Sequence, residues 1–145
     1  MEESQSNKVP VWFWIVSALA VIWNLMGVGA YLMQVNMTAD DLAALTEAER
    51  QLYETMPTWA TGAFALGVFG GVLASLALAL RNVLAVPLFA LSLVAILVQM
   101  FHGLILSNSL AVYGPQAAIM PTLIIIVAAL LLWFGLKAKA RGWLG

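Results

Sequence analysis

Three side chains combine polar chemistry with a position deep inside apolar sequence: Asn24, Gln99 and His102. A carboxamide can hold a neutral polar solute or bridge two helices, and an imidazole is the one side chain whose ordinary pKa lies near neutrality. Spacing puts each of them on a helical stripe. Ser17, Ala20, Asn24, Gly27, Tyr31 and Gln34 recur at alternating steps of three and four, as do Ser92, Ala95, Gln99 and His102. A third stripe, Ala63, Gly67, Gly71, Ser75 and Ala79, carries a small residue at every fourth position, the pattern that lets helix backbones approach closely. If the three faces converge, Asn24, Gln99 and His102 form a polar site, with Gly67, Gly71 and Ser75 as the helix-packing surface. At a 1.5 Å rise, Asn24 and Gln99 lie about 10–12 Å below the nearer helix ends and His102 about 6 Å below. The alternative for the two amides is interhelical glue, worth roughly 0.6–2 kcal/mol per hydrogen bond. For His102 it is a bond to a neighbouring helix or a rest near the interface.

Other chemistries find no residues to carry them. Five of the seven acids fall between Asp40 and Glu54, and the other two are Glu2 and Glu3, so no pair of carboxylates shares a desolvated site. One histidine and no cysteine leave a metal without ligands, and neither a metal nor any other cofactor is expected. The apolar segments contain no acid or permanent base away from their ends, which argues against a proton-coupled exporter. A net charge of −1 implies no nucleic-acid partner. The expectation is a protein that is not an enzyme.

The elements that must position these residues follow from composition. A hydrophobic fraction of 63% with 9% charged residues departs far from the roughly 45–50% and 25% of globular domains. A membrane crossing needs about 20 apolar residues. Segments 11–33, 59–80, 83–106 and 117–136 each qualify, and together they use nearly the whole chain. The fold expected over 1–145 is therefore a single all-α bundle of four transmembrane helices, with the lipid bilayer as its surroundings. The first segment is too long for the 7–15-residue core of a signal peptide, and it follows Glu2 and Glu3 beside a single Lys8, so it reads as a retained helix.

Charge sets the expected topology, because Lys and Arg in short loops stay cytoplasmic. Lys8, Arg81, Lys137, Lys139 and Arg141 all fall on one side of a four-crossing chain, leaving only Arg50 opposite. Both termini are then cytoplasmic, with the acidic loop and the 107–116 loop outside. Aromatic side chains that favour the headgroup level agree: Trp12, Trp14, Trp133 and Trp143 mark the inner interface, and Tyr31, Tyr53, Trp59 and Tyr113 the outer, with only Trp23 deep. In the acidic loop, Thr38 precedes Asp41 and Thr46 precedes Glu49 by three residues, the spacing of helix-start capping. A surface helix over 46–56 would present Leu45, Leu52, Tyr53 and Met56 on one side and Glu47, Arg50 and Glu54 to water.

Two Val-Pro pairs, Val9-Pro10 and Val86-Pro87, and two Met-Pro-Thr runs, at 56–58 and 120–122, raise a parallel internal repeat. Proline also favours helix starts for its own reasons. Trp23-Asn24-Leu25-Met26-Gly27 within 11–34, Leu45-Thr46-Glu47-Ala48-Glu49-Arg50, Met56-Pro57-Thr58-Trp59-Ala60-Thr61 and Val98-Gln99-Met100-Phe101-His102 together resemble a family of small four-helix bacterial inner-membrane proteins often labelled, without an assigned mechanism, as sugar transporters. That resemblance implies a bacterial inner-membrane location and supplies no site residues. Two functions follow as expectations. One is a transporter-like module, homo-oligomeric or bound to a membrane-protein partner, that handles a neutral polar solute such as a sugar at Asn24, Gln99 and His102. The other is a non-transporting accessory or assembly subunit docking partners through Gly67, Gly71 and the acidic loop.

Overall fold

The computed structural model describes residues 9–145, so Glu2, Glu3 and Lys8 lie outside the described residues. The architecture is built on four long helices: α1 (Val11–Val35), α4 (Thr58–Ala79), α5 (Ala85–Phe101) and α7 (Ile119–Ala140). With its π-helical and 3-10 extensions, each is long and apolar enough to cross a bilayer: Val11–Val35, Thr58–Ala79, Ala85–Leu106 and Pro115–Ala140. The chain is an all-α, multi-pass membrane protein. Its outer surface carries large apolar side chains such as Ile15, Leu19, Met26, Ile126 and Leu130, each at least half exposed. In water that surface would be untenable, and in hydrocarbon it is the solvated face.

Helix starts follow from local chemistry. Pro10 and Pro57 stand in extended conformation immediately before α1 and α4, whereas Pro87 and Pro121 are the third residues of α5 and α7. In both settings the missing N–H falls where a helix has no internal acceptor for it. The two Val-Pro pairs are thus not equivalent in register, since one precedes its helix and the other lies inside it.

The acidic loop forms two short helices rather than one, α2 (Ala39–Ala43) and α3 (Glu47–Glu54). Each starts with a complete capping box: Thr38 Oγ1 accepts from Asp41 N while Asp41 accepts from Thr38 N, and Thr46 and Glu49 do the same. Arg50, expected to face water, instead folds back. Its Nε donates to Leu42 O at 3.2 Å and its Nη2 to Leu45 O at 3.4 Å, so one cation satisfies carbonyls at the end of α2. The connection into α5 turns through Arg81, whose φ of 57° is left-handed, and Asn82, whose Oδ1 accepts from Leu84 N.

Helix α4 packs against both α1 and α5, and α7 packs against α5. Helices α1 and α7 meet only at the end that carries Arg81, Lys137, Lys139 and Arg141, hereafter the basic end. There Phe13 stacks on Phe134 with centroids 5.8 Å apart, and Trp12 and Trp143 meet them edge-on. Leu78, Ala85, Phe89 and Ala138 complete this core. Trp143, expected at the headgroup level, is buried in it. The last residues are pinned across the α4–α5 turn: Arg81 Nε donates to Trp143 O at 2.8 Å, and Gly145 exchanges backbone hydrogen bonds with Arg81 and Val83.

Candidate functional site

Three helices are locked together by a small polar node in the middle of the bundle. Asn24 Nδ2 donates to Ala20 O one turn earlier (2.9 Å) and across the interface to Ser75 Oγ (3.0 Å). Ser75 in turn donates to Gly71 O at 2.8 Å, and Ser92 of α5 reaches across to Gly67 O at 2.6 Å. Ser75 and Ser92 are buried, and among the described residues no buried polar side-chain atom lacks a partner. Gly71 is where the node needs glycine. A Cβ there would overlap Asn24 Oδ1, lie 2.8 Å from Asn24 Cγ and sit 3.3 Å from Ser92 Oγ. Gly67 is pressed less hard, with Ile96 Cγ1 at 3.0 Å. The Gly67, Gly71 and Ser75 stripe is therefore covered by α1 and α5 of the same chain, and it offers no free face to a partner.

Two cavities flank this node, and they divide the three polar residues. The first is a slot of about 320 Å³ in the membrane-spanning region, lined by all four long helices. Asn24, Gly27 and Ala30 face it from α1, Ile96 and Gln99 from α5, and Ile124 and Ala128 from α7. It exists because α1 and α7 converge only at the aromatic cluster and separate beyond it. Asn24 and Ser92 line it with their donors already committed, whereas Gln99 makes no side-chain hydrogen bond to another described residue.

His102 is elsewhere. It lines a vestibule of about 900 Å³ at the opposite, acidic end, between the ends of α1 and α5, the α2–α3 roof and the short helix α6 (Ser109–Tyr113). Its ring meets Trp59 edge-on at 5.4 Å. At His102 the helix widens into a π-helical turn, His102–Leu106, closed by Ser107 N donating to His102 O at 2.7 Å. Such turns are rare and favour functional positions. Here the extra residue helps bring Gly103 and Ser107 to the cavity wall.

The vestibule combines a mainly apolar lining with a small polar set. Leu45, Leu52, Tyr53 and Met56 do share one face of the loop, and that face lines the cavity. Tyr53 OH donates to Gln34 O, and Gln34 Nε2 points to Met56 Sδ at 3.1 Å, which fastens the roof to α1. Two carboxylates, Asp41 and Glu49, enter the lining, each with one oxygen committed to its own capping box. Ser107 and Ser109 hydrogen-bond to each other at 2.8 Å beside Tyr113. The backbone N–H and then the hydroxyl of Thr38 hold the Asp41 carboxyl below its usual range. Burial, and secondarily the charge of Glu49, push the Tyr113 phenol up, so the Glu49 carboxylate acts across this space.

Comparison with protein families, curated proteins and solved structures finds no match. The assignment of a role therefore rests on the geometry above. Of the residues singled out by spacing, Asn24 and Gln99 share the slot, and His102 belongs to the vestibule. Asp41, Glu49, Tyr53, Tyr113, Ser107 and Ser109 were not among them as a binding set. The capping spacing marked the two acids as structural, and nothing local in the chain shows that the 107–113 stretch returns beside the 41–56 loop.

Proposed function

We propose that this protein is a transporter-like capture module for a neutral polar solute such as a sugar, binding it in the vestibule rather than at Asn24. In this reading the vestibule opens on the outer side, with both termini cytoplasmic, as the gathering of Lys and Arg at the opposite end favours, and the membrane is the bacterial inner membrane that the family resemblance implies. One observation carries the reading: a cavity of about 900 Å³ that presents carboxylate, amide, hydroxyl, phenol and imidazole groups within a mainly apolar lining. Pockets of this size and lining are the usual form of small-molecule sites. Each of Asp41 and Glu49 keeps one oxygen free to accept from a hydroxyl, while Tyr53 and Tyr113 offer apolar ring surface. The aromatic cluster around Phe13 and Phe134 blocks the other end, which favours capture within one protomer and leaves passage to a rearrangement or to a second copy. The accessory-subunit reading loses its helical docking face, because Gly67 and Gly71 are covered from within.

The test is equilibrium binding of radiolabelled monosaccharides and disaccharides to protein in nanodiscs, followed by uptake into proteoliposomes. Glu49→Gln and Asp41→Asn preserve cap-competent side chains while removing charge. Each should weaken binding by roughly tenfold or more, the equivalent of a charge-assisted hydrogen bond of about 1.5–3 kcal/mol. Asn24→Ala should lower stability and leave vestibule binding intact. No binding of any sugar by the unaltered protein would sink the proposal.

A further inference from the structure

The slot and the vestibule lie on the same stripes of the same helices. On α5 and the π-helical turn that continues it, Ile96 and Gln99 line the slot, and Gly103 and Ser107, one and two turns further on, line the vestibule. On α1, Gly27 and Ala30 line the slot and Met33 and Gln34 the vestibule, again at steps of three and four. One cavity therefore stands above the other along the membrane normal. The upper, at the interface, carries the polar and charged side chains within a mainly apolar wall; the lower is almost wholly apolar and lies within the hydrocarbon.

From this juxtaposition we infer that the ligand is an amphiphile: a neutral polyhydroxylated head seated in the vestibule and a single alkyl chain lying in the slot. The inference rests on the vestibule reading above and names the class of molecule for that same site. The slot's lining runs from Phe89 to Met100 on α5 and from Leu131 to Met120 on α7, about 16 Å in each case at 1.5 Å per residue. Its 320 Å³ holds on the order of ten methylenes if each takes about the 30 Å³ share of a water. A volume of that size drawn out over that length suits a chain rather than a fused ring system. Because α1 and α7 are not packed against each other as α1 and α4 are, we place the tail's entry between them, from the bilayer, so that it need never cross water. Gln99 stands where chain would give way to head, one turn from His102 and Gly103, and among the described residues its amide has no hydrogen-bond partner.

The probes are methyl β-glucoside, an n-dodecyl β-glucoside with a diazirine at the chain end, and a headless dodecyl diazirine, each with the full chain in nanodiscs. The diazirine glucoside should label slot residues such as Ile96, Ile124 and Leu131 in preference to the lipid-facing Leu19 and Leu130. Ala128→Phe, which fills the slot, should abolish that preference while methyl β-glucoside still binds; Ile124→Trp is the second variant if the first does not fold. Glu49→Gln should reduce slot labelling by the headed probe. Even labelling of slot and lipid faces, with methyl β-glucoside bound, overturns the tail site and leaves the vestibule reading standing. Equal slot labelling by the headless chain, indifferent to Glu49→Gln, overturns the amphiphile. Absence of methyl β-glucoside binding in that case removes the vestibule reading as well.

Discussion

Replacing Gly71 by alanine tests the central packing argument most directly. The new Cβ would overlap Asn24 Oδ1 and approach its Cγ to 2.8 Å, well inside ordinary contact, with Ser92 Oγ at 3.3 Å. Asn24 is held from both sides, by Ala20 O and Ser75 Oγ, so it cannot swing aside without losing the bond to Ser75. Overpacking typically costs about 1–3 kcal/mol. Loss of one interhelical hydrogen bond in a membrane protein adds about 0.6–1.7 kcal/mol. The expected penalty is therefore about 2–5 kcal/mol from these two terms combined. Asn24→Ala alone should cost about 0.6–2 kcal/mol, because Ser75 keeps its bond to Gly71 O. In the double variant Gly71→Ala/Asn24→Ala the obstruction is gone, and the total should fall close to that of Asn24→Ala alone. Reversible unfolding in mixed micelles, followed by tryptophan fluorescence, measures all three in one cycle. The series Gly71→Ala, Gly67→Ala, Gly70→Ala should decline in severity, since the nearest obstructing atoms lie at Asn24, at 3.0 Å and at 3.7 Å respectively. A neutral Gly71→Ala, or penalties that simply add in the double variant, would refute the reasoning.

Other expectations concern separate parts of the molecule. Phe13→Ala removes a fully buried ring from the aromatic cluster and should cost about 3–5 kcal/mol in the same unfolding assay, with loosened binding of the 143–145 tail visible as faster amide exchange there. Gly29→Ala meets no atom within 4 Å and should be neutral or stabilising by up to about 1 kcal/mol, checked by the same melt. Asp41 titrates below its usual value, so its capping box contributes stability that is present above about pH 3.9 and lost as pH falls through the depressed value. Amide exchange of α2 should accelerate over that window, and Asp41→Asn should remove the pH dependence. The raised Tyr113 pKa means the opposite sign: its contribution is complete below about pH 10 and lost as pH climbs through the raised value. Phenolate absorbance of the unaltered protein minus that of Tyr113→Phe should show this late titration. Glu49→Gln should bring it down only in part, because burial is the larger cause.

What could be read from the chain was whatever is decided within about one helical turn or by composition. Two capping boxes were legible because Thr38 with Asp41 and Thr46 with Glu49 make their bonds across three residues. The apolar face of the acidic loop was legible for the same reason. Arg50 was not, since the carbonyls it serves belong to the preceding helix, eight and five residues away. The Trp143 reading failed differently. Its indole suits a headgroup level, but Gly142, with a φ of 75°, turns the chain back so that the ring enters the Phe13 and Phe134 cluster.

Composition and periodicity alone determine that this is a four-helix membrane protein with polar stripes on α1 and α5 and a small-residue stripe on α4, because lipid imposes length and apolarity on every crossing segment. Only the tertiary structure decides which stripes spend their polarity on each other and which keep it. Asn24 is consumed at Gly71 and Ser75 because a glycine backbone lets α1 come close enough for a short amide to span the gap. Gln99 stays free because α7 diverges from α1 beyond the aromatic cluster and leaves a slot in front of it. His102 belongs to a different chamber because the π-helical turn and the folded acidic loop, distant in the chain, enclose a space above that slot.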